Sequence, residues 1–283
     1  MAEGAKLKTL LDGLKFGEGP RWRDGKLWFS DFYAHRVMTV DLQGRAETVV
    51  EVPTQPSGLG WTPDGRLLIV SMLDRRLLRL DGGRLTPVAD LSALATGPCN
   101  DMVVDAKGRA YVGNFGFDRH KGEAPRAAKL IRVDPDGAVS TAAEELQFPN
   151  GAVITPDGRQ LIIAETLANR LTAFDIGPDG NLGFRRLFAD LGATYPDGIC
   201  LDAEGAIWVA DARGHEVLRV VEGGRVAERV ATGDRFSYAC MLGGPARRTL
   251  FVITNSGSGP AIAAAADGRI ETVEVAVPGA GLP

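Results

Sequence analysis

Short apolar runs recur along the whole chain, each placed just after a tight turn. The turns are acid-Gly or related pairs, such as Asp24-Gly25 and Asp64-Gly65, and each run ends in a small or polar residue. A pair of this kind between two apolar runs is a strong hairpin signal, because glycine tolerates the positive φ that the turn requires. The six runs cover residues 27–31, 67–71, 110–114, 161–165, 207–211 and 250–254.

Two further strands are expected after each hairpin, as at residues 36–41 and 46–51 in the first repeat. Four short strands in a period of roughly 40 to 50 residues are typical of a β-propeller blade. The chain is therefore predicted to be all-β, a six-bladed β-propeller with four antiparallel strands per blade, in a single domain over residues 1–283. The expected blades cover approximately residues 15–53, 54–95, 96–146, 147–192, 193–233 and 234–283. Either segment 8–14 or segment 269–277 should close the last blade, since closure hides an exposed strand edge.

Composition indicates many turns and excludes some partners. The 283 residues include 36 glycines and 16 prolines, which suits many tight turns. The net charge is -4, so the chain has no overall basic character that would favour nucleic-acid binding. No run approaches the roughly 20 apolar residues of a membrane span, and the first residues lack the apolar centre of a signal peptide. We therefore expect a cytoplasmic protein that acts on a small molecule, without nucleic-acid or membrane partners, as a monomer or small homo-oligomer.

Nucleophilic cysteine chemistry finds no support in the sequence. Cys99, Cys200 and Cys240 are too few and too scattered for a disulfide framework, and free cysteines are usually buried. His35 and His215 occupy equivalent turns in repeats one and five, which indicates a structural role, while His120 falls in a long loop. The chain thus offers no histidine base for a nucleophile.

One position near the start of the first strand recurs in all six repeats, and we call these residues the inner ring. The inner ring consists of Glu18, Ser57, Asn100, Asn150, Asp197 and Tyr238. If the first strand of each blade lines the central channel, all six meet at one mouth. An Asn or Asp before glycine often caps a turn. Four such side chains in one narrow channel, however, would be repelled or left unsatisfied without a cation.

Two carboxylates and two amide oxygens, without His or Cys, favour a hard divalent cation. The sequence predicts one metal ion on the axis, Ca²⁺ first, with Mg²⁺, Mn²⁺ or Zn²⁺ as alternatives. The ends of the second strands form a second ring around the first, made of Asp31, Ser71, Asn114, Glu165, Asp211 and Thr254. Asp31 and Asp211 of this second ring, together with Asp101 next to Asn100, are predicted to lie just outside the metal ligands and to support them.

Several segments together resemble a known family. Glu18-Gly19-Pro20-Arg21-Trp22, Asn100-Asp101, Phe148-Pro149-Asn150-Gly151 and Tyr195-Pro196-Asp197-Gly198 are similar, in order, to motifs of the senescence marker protein, gluconolactonase and luciferin-regenerating enzyme family. The resemblance extends over essentially the whole chain. It implies a catalytic divalent metal with Glu18, Asn150 and Asp197 as direct ligands. It also implies that Asn100 binds the metal directly or through water and faces substrate. Diisopropylfluorophosphatase, a more distant relative, has a similar quartet.

The chain departs from the family at the third blade. Sugar-lactonase members carry an Arg two residues before the blade's Asn, and here that residue is Pro98. Aromatic residues surround the mouth instead, and the long loop 115–127 should act as its rim or lid. The expected substrate contacts are Asn100, Phe115, Phe117, Asp118, Phe148, Tyr195 and Tyr238. Asp118 is included because it aligns approximately with an acidic contact of the family. This pocket favours hydrophobic lactones or aryl esters over sugar lactones.

The predicted activity is metal-dependent hydrolysis of lactones or related esters, in which the metal polarises the carbonyl. In the absence of a histidine base, Asp197 is the catalytic candidate, either as general base toward water or as a nucleophile. Two alternatives stay open. One is a phosphotriesterase-like or other reaction at the same metal site, and strictosidine-synthase-like proteins use the fold for condensation with a catalytic Glu. The other is a ligand-binding or sensing propeller, since a fold does not determine a function.

Overall fold

The computed structural model describes residues 6–281 and contains six four-stranded antiparallel sheets. The first strand of each sheet packs against the first strands of both neighbouring sheets, and the last contact in the series returns to the first blade. The six inner strands therefore form a closed ring around a central channel. The predicted all-β, six-bladed propeller is confirmed.

The strands are numbered in chain order, from β1 (Lys8–Leu14). Blade 1 contains β2 (Gly17–Arg23), β3 (Lys26–Asp31), β4 (Arg36–Val40) and β5 (Ala46–Glu51). Blade 2 contains β6 (Pro56–Trp61), β7 (Leu67–Ser71), β8 (Arg76–Asp81) and β9 (Arg84–Asp90). Blade 3 contains β10 (Cys99–Val104), β11 (Ala110–Asn114), β12 (Ala128–Val133) and β13 (Val139–Leu146).

Blade 4 contains β14 (Pro149–Ile154), β15 (Gln160–Glu165), β16 (Arg170–Ile176) and β17 (Leu182–Asp190). Blade 5 contains β18 (Pro196–Leu201), β19 (Ile207–Asp211), β20 (Glu216–Val220) and β21 (Val226–Ala231). Blade 6 contains β22 (Phe236–Gly243), β23 (Thr249–Asn255) and β24 (Gly268–Glu274), with β1 as its outer strand.

The first and last strands of the described residues pair with each other in blade 6. Strand β1 pairs antiparallel with β24, with Lys8 opposite Thr272 and Leu14 opposite Gly268. Of the two segments that could close the ring, the N-terminal one is outermost, and the C-terminal one is the third strand. Leu14 is fully buried against this sheet, so the closing strand contributes to the core as well as covering an edge.

The hydrophobic core is divided among the blade interfaces. Trp208, Phe251 and Phe29 belong to the cluster that joins blades 5, 6 and 1, and Tyr111 belongs to the one that joins blades 3 and 4. Inner strands such as β10 and β14 are buried along their whole length, whereas outer strands such as β5 are largely exposed. A polar side chain on an inner strand therefore lies where water is mostly excluded.

In the described part of the chain, four short 3-10 helices follow the second strands of their blades, on the mouth side of the molecule. They cover Phe32–Ala34, Arg119–Lys121, Thr166–Ala168 and Pro260–Ala264. Within residues 6–281, no helix has the length and apolar character needed to cross a membrane.

Candidate active site at the channel mouth

The backbone of every inner strand is irregular at the same level. Strand β2 shifts its pairing with β3 between Glu18 and Arg21, and β18 shifts its pairing with β19 between Pro196 and Ile199. The other four inner strands contain matching irregularities. A bulge leaves a residue outside the ladder and redirects its side chain. The irregularities thus provide a local means of directing inner-ring residues into the channel.

The glycines that follow inner-ring residues have a packing role. A Cβ on Gly151 would lie 2.6 Å from the backbone N of Ile199, and one on Gly198 would lie 2.6 Å from the Cβ of Ala239. Neighbouring inner strands therefore approach each other too closely for a side chain at these positions. Asn150-Gly151 and Asp197-Gly198 lie within strands, so turn capping does not explain their polar residues.

A hydrogen-bond chain orients the two amide side chains. Asn100 Nδ2 donates to Asn150 Oδ1 at 2.9 Å, and Ser57 Oγ donates to Asn100 Oδ1 at 3.4 Å. Asn150 Nδ2 donates to Thr166 Oγ1 at 3.2 Å, and Thr166 Oγ1 in turn donates to the Pro196 carbonyl at 2.7 Å. Each amide oxygen has two lone pairs, so it can accept one of these bonds and still face the channel.

The two inner-ring carboxyls are buried and poorly satisfied. Asp197 Oδ1 is buried with no hydrogen-bond partner among the described residues, and Glu18 Oε2 accepts a long bond, 3.3 Å, from the Gly19 N-H. Burial raises the pKa of Asp197 to about 8. Burial also raises the pKa of Glu18 well above its ordinary value, and the charges of Asp197 and Asp101 add to that effect. A bound cation would remove the cost of ionising both groups.

This donor set fits a hard divalent metal. Within residues 6–281, no group of three or more His, Cys, Asp and Glu side chains is arranged to hold a metal. The amide oxygens of Asn100 and Asn150 are the further donors that could hold a metal beside the two carboxylates. Mixed carboxylate and carbonyl oxygens are the ligands that Ca²⁺ accepts, and the unpartnered Asp197 Oδ1 is available to it.

Asp101 belongs to a buried ion pair that joins two blades. Its Oδ1 lies 2.9 Å from Arg21 Nη2, which also donates to the Met102 carbonyl, while Arg21 Nη1 donates to the Pro20 carbonyl. Burial raises the pKa of Asp101, and Arg21 opposes that rise. The pair connects β2 to β10, the strands that carry Glu18 and Asn100. Sequence reasoning identified Asp101 as a supporting residue but did not identify Arg21 as its partner.

Asp31 and Asp211 hold the segments that lead into the inner strands. Asp31 Oδ1 accepts the backbone N-H groups of Lys15 and Phe16, at 3.0 and 2.9 Å. Asp211 Oδ1 accepts the N-H groups of Tyr195 and Arg213, both at 3.1 Å. These carboxylates therefore position Glu18 and Asp197 through the backbone that precedes them, and neither lines the cavity.

A cavity of about 380 Å³ opens above the inner ring. Its walls include all the expected substrate contacts except Asp118, whose carboxylate contacts Lys121 Nζ at 3.0 Å within the same loop. Residues that the sequence did not indicate also line it, among them Gln55, Met72, Arg119, Thr166, Arg213 and Ser258. No turn or repeat signal distinguished these positions.

Aromatic side chains form much of the cavity wall. Phe115 stacks on Phe148 with ring centroids 4.4 Å apart, and the ring of Phe117 meets that of Phe148 at 6.1 Å. Elsewhere on the wall, Phe16 packs against Tyr238 at 4.6 Å. These rings surround a polar floor, which is the arrangement of most small-molecule sites.

The long loop of blade 3 is a fixed wall at the end nearest the cavity. Thr96 Oγ1 donates to the Gly116 carbonyl at 2.8 Å, and the Phe115 N-H donates to the Pro98 carbonyl at 2.9 Å. A Cβ on Gly97 would lie 2.6 Å from the carbonyl oxygen of Phe117. The loop backbone thus packs directly on the segment that leads into β10, as a rim.

The cysteines and two of the histidines lie apart from the cavity wall. His35 adopts a left-handed conformation with φ of 59°, and its Nδ1 contacts the Pro53 carbonyl at 2.6 Å. His215 stacks on Phe236. All three cysteines are buried, and burial raises the pKa of Cys99 to about 12. A thiolate nucleophile at this position is therefore disfavoured.

Comparison with known proteins points to one family. Residues 16–256 match the SMP-30/Gluconolactonase/LRE-like region model. A 6-deoxy-6-sulfogluconolactonase of Pseudomonas putida is 27% identical over 245 residues, covering 84% of this chain and 83% of its own. A pentonolactonase of Haloferax volcanii is 28% identical over 262 residues, covering 89% and 86%. The crystal structure of regucalcin from Agrobacterium tumefaciens, described as a calcium-binding protein, superposes with a TM-score of 0.82 at 26% identity, covering 99% and 97%.

Proposed function

Because this chain belongs to the SMP-30/Gluconolactonase/LRE-like family, as its motifs indicated, we propose that it hydrolyses lactones or related esters with a divalent metal. The relatives named as lactonases support the reaction class. The observation that carries the proposal is the buried Asp197 Oδ1, without a hydrogen-bond partner among the described residues, at the floor of a cavity with aromatic walls. Burying such an oxygen is costly unless a ligand satisfies it.

Glu18, Asn100, Asn150 and Asp197 would hold the metal, as the quartet of oxygen donors on four inner strands. When bound, a divalent cation polarises the substrate carbonyl and stabilises the negative charge that develops on its oxygen. Ca²⁺ is the first candidate from the chemistry of the donors. The name of the Agrobacterium relative, a calcium-binding protein, supports the same choice.

Asp197 is the proposed general base. Its carboxylate takes a proton from water, and the water oxygen forms a bond to the lactone carbonyl carbon. The bond between that carbon and the ring oxygen then breaks, and the leaving oxygen takes the proton back to give a hydroxy acid. A base must be ionised to take a proton; burial raises the pKa of Asp197, and a bound cation would favour its ionised form. Direct attack by Asp197 on the carbonyl carbon is the alternative.

The cavity walls determine which substituents the substrate can carry beside its reactive carbonyl. Phe115, Phe117 and Phe148 bury apolar surface, which contributes about 25 cal/mol per Å². Sugar hydroxyls in the same place would lose water without a matching set of polar partners. We therefore propose hydrophobic lactones or aryl esters as the preferred substrates.

A substrate panel tests this proposal. It contains an alkyl δ-lactone, an aryl ester, glucono-δ-lactone and an organophosphate triester, each assayed with Ca²⁺ and with excess chelator. The alkyl lactone should exceed gluconolactone in kcat/KM by roughly one to two orders of magnitude. Its hydrolysis should stop on chelation and return with Ca²⁺. Turnover of the organophosphate alone would favour the phosphotriesterase alternative.

A further inference from the structure

Two arginines line the cavity that the proposed lactone would enter. Arg119 begins the 3-10 helix Arg119–Lys121 in blade 3, and Arg213 follows β19 in blade 5. Both are exposed at the mouth. The proposed reaction at the inner ring uses neither guanidinium, so their place on the wall needs another explanation.

The rim loop presents Arg119 from a fixed backbone. Phe117 lies against Gly97 so closely that no side chain fits there, and the Gly116 carbonyl accepts bonds from Thr96 and from Arg126 Nε, the latter at 2.6 Å. Arg119 follows two residues after Phe117. A cation held by an anchored segment loses less freedom on binding a ligand than one on a mobile loop does.

Arg119 shares the cavity wall with residues of three other blades. Tyr33 of blade 1, Asp197 of blade 5 and Tyr238 of blade 6 line the same cavity. A guanidinium from blade 3 on this wall lies above the inner ring, where the outer part of a bound substrate would lie.

Arg213 is a second cation on the same wall. Its guanidinium carbon lies 4.1 Å from the centroid of the Tyr195 ring, and its backbone N-H donates to Asp211 Oδ1. Stacking on an aromatic face leaves the edge of a guanidinium free to donate hydrogen bonds. The cavity therefore combines aromatic side chains on its walls, a floor of carboxyl and amide oxygens suited to a metal and two guanidinium groups at its rim.

We infer that the substrate carries a carboxylate on its apolar body and that Arg119 pairs with this group at the mouth, with Arg213 as the second cation. The inference rests on the proposed function, since it names the substrate class for the same site. An Arg-carboxylate pair can form two parallel hydrogen bonds, which a neutral substituent of the same shape cannot match.

A matched pair of substrates tests the inference. One is an alkyl δ-lactone whose side chain ends in a carboxylate, and the other is the same lactone ending in a primary carboxamide. In the presence of millimolar Ca²⁺, the protein should hydrolyse the carboxylate form with a kcat/KM roughly tenfold higher. The preference should shrink as salt rises, because exposed charges are screened. Equal kcat/KM values for the two lactones would overturn the inference and leave the proposed lactonase in place.

Arginine variants test whether the preference for the carboxylate lactone depends on Arg119 and Arg213. Arg119→Gln should bring the ratio of the two kcat/KM values close to one, and Arg119→Lys should restore part of it. Arg213→Gln should give a smaller loss. Arg84→Gln is the matched control, because Arg84 is exposed on β9, away from the cavity wall, and its loss changes the net charge equally. A ratio that survives in Arg119→Gln would contradict the role of Arg119.

Binding gives a readout that does not depend on turnover. The corresponding lactams, ending in carboxylate or carboxamide, can be titrated by calorimetry in millimolar Ca²⁺. The carboxylate lactam should bind roughly tenfold more tightly to the unmodified protein and with no advantage to Arg119→Gln. If the lactones are not hydrolysed but this difference is present, the lactonase proposal fails and the anion site stands. Equal affinities of the two lactams would overturn the anion site.

Discussion

Asp197 combines two tasks that a single substitution can separate. Asn at this position keeps an oxygen for a metal but cannot take a proton. Asp197→Asn should therefore lower kcat by about 100-fold or more at saturating Ca²⁺, the contribution expected of a general base or nucleophile. Asp12→Asn, an exposed change on β1, is the matched control. Near-normal turnover of Asp197→Asn would restrict Asp197 to metal binding and exclude it as the base or nucleophile.

The other ligands should respond differently to substitution. Glu18→Gln and Asn150→Ala weaken coordination but leave the base in place, so excess Ca²⁺ should restore much of their activity. The measurement is kcat as a function of Ca²⁺ concentration for each variant. If saturating Ca²⁺ leaves both variants inactive, Glu18 and Asn150 have a role in the reaction beyond coordination.

The pKa of Asp197 predicts how stability depends on pH without metal. The folded-state pKa is about 8, against an ordinary value of 3.8, so the folded protein keeps a proton that the unfolded chain has released. The free energy of unfolding should therefore fall as pH rises between these values, by at most about 1.4 kcal/mol per pH unit for this group. Glu18 shifts in the same direction.

The check is the thermal midpoint of chelator-treated protein from pH 5 to pH 9. The midpoint should decline over this range, and Ca²⁺ should reduce the decline because it binds the ionised carboxylates. Asp197→Asn should show a weaker dependence on pH. A rising midpoint in the metal-free protein would contradict the assignment of Asp197 as a carboxyl that is neutral in the folded state.

The rim loop of blade 3 depends on a glycine outside the loop itself. A methyl group on Gly97 would meet the backbone of Phe117 at 2.6 to 2.9 Å, where no flexible side chain can move aside. Gly97→Ala should displace the loop, destabilise the protein by about 1 to 3 kcal/mol and lower kcat/KM for an apolar lactone. Gly183→Ala is the control, since a Cβ there meets nothing within 4 Å. Equal stability and kcat/KM in the two variants would show that the loop is not held in this way.

Sequence patterns predicted the strands well because the acid-Gly turns and apolar runs are local signals. They could not show the shared bulges of the inner strands or the closeness of their backbones. For that reason the sequence of Asn150-Gly151 is compatible with two roles for the Asn side chain, a turn cap and a donor in the channel, and the position within β14 excludes the turn cap.

The long loop of blade 3 shows the same limit of sequence reasoning. An approximate alignment predicts Asp118 as a substrate contact, but Arg119, the next residue, lines the cavity. Which of two neighbouring loop residues faces a cavity depends on contacts with distant segments such as Thr96 and Gly97.

Closure of the whole propeller depends on the first strand. Strand β1 supplies the outer edge of blade 6, and Leu14 is buried in the cluster that joins blades 5, 6 and 1. Deleting residues 1–14 should lower the thermal midpoint by more than about 5 °C, because it exposes a strand edge and removes buried apolar contacts. Deleting only residues 1–5 is the control. An unchanged midpoint after the longer deletion would mean that β1 contributes little to closure.

The molecule brings together six inner-ring residues that are about 40 to 50 positions apart in sequence, which is the period of its repeats. Four of them carry carboxylate or amide oxygens, and these four come from blades 1, 3, 4 and 5. Only a complete ring places them on one axis, so the integrity of the fold and the metal site should be linked. Binding of a cation should accordingly raise the thermal midpoint by mass action.

The most direct test of this account follows metal binding and lactone hydrolysis in one titration. Chelator-treated protein receives Ca²⁺ in small steps, with calorimetry reporting occupancy and a parallel sample reporting the rate on an alkyl δ-lactone. The account predicts that both signals rise together and reach a plateau at about one ion per chain, and that Asp197→Asn binds the ion while hydrolysing little. Full hydrolysis before any Ca²⁺ is added, or occupancy of the site without any gain in rate, would contradict it.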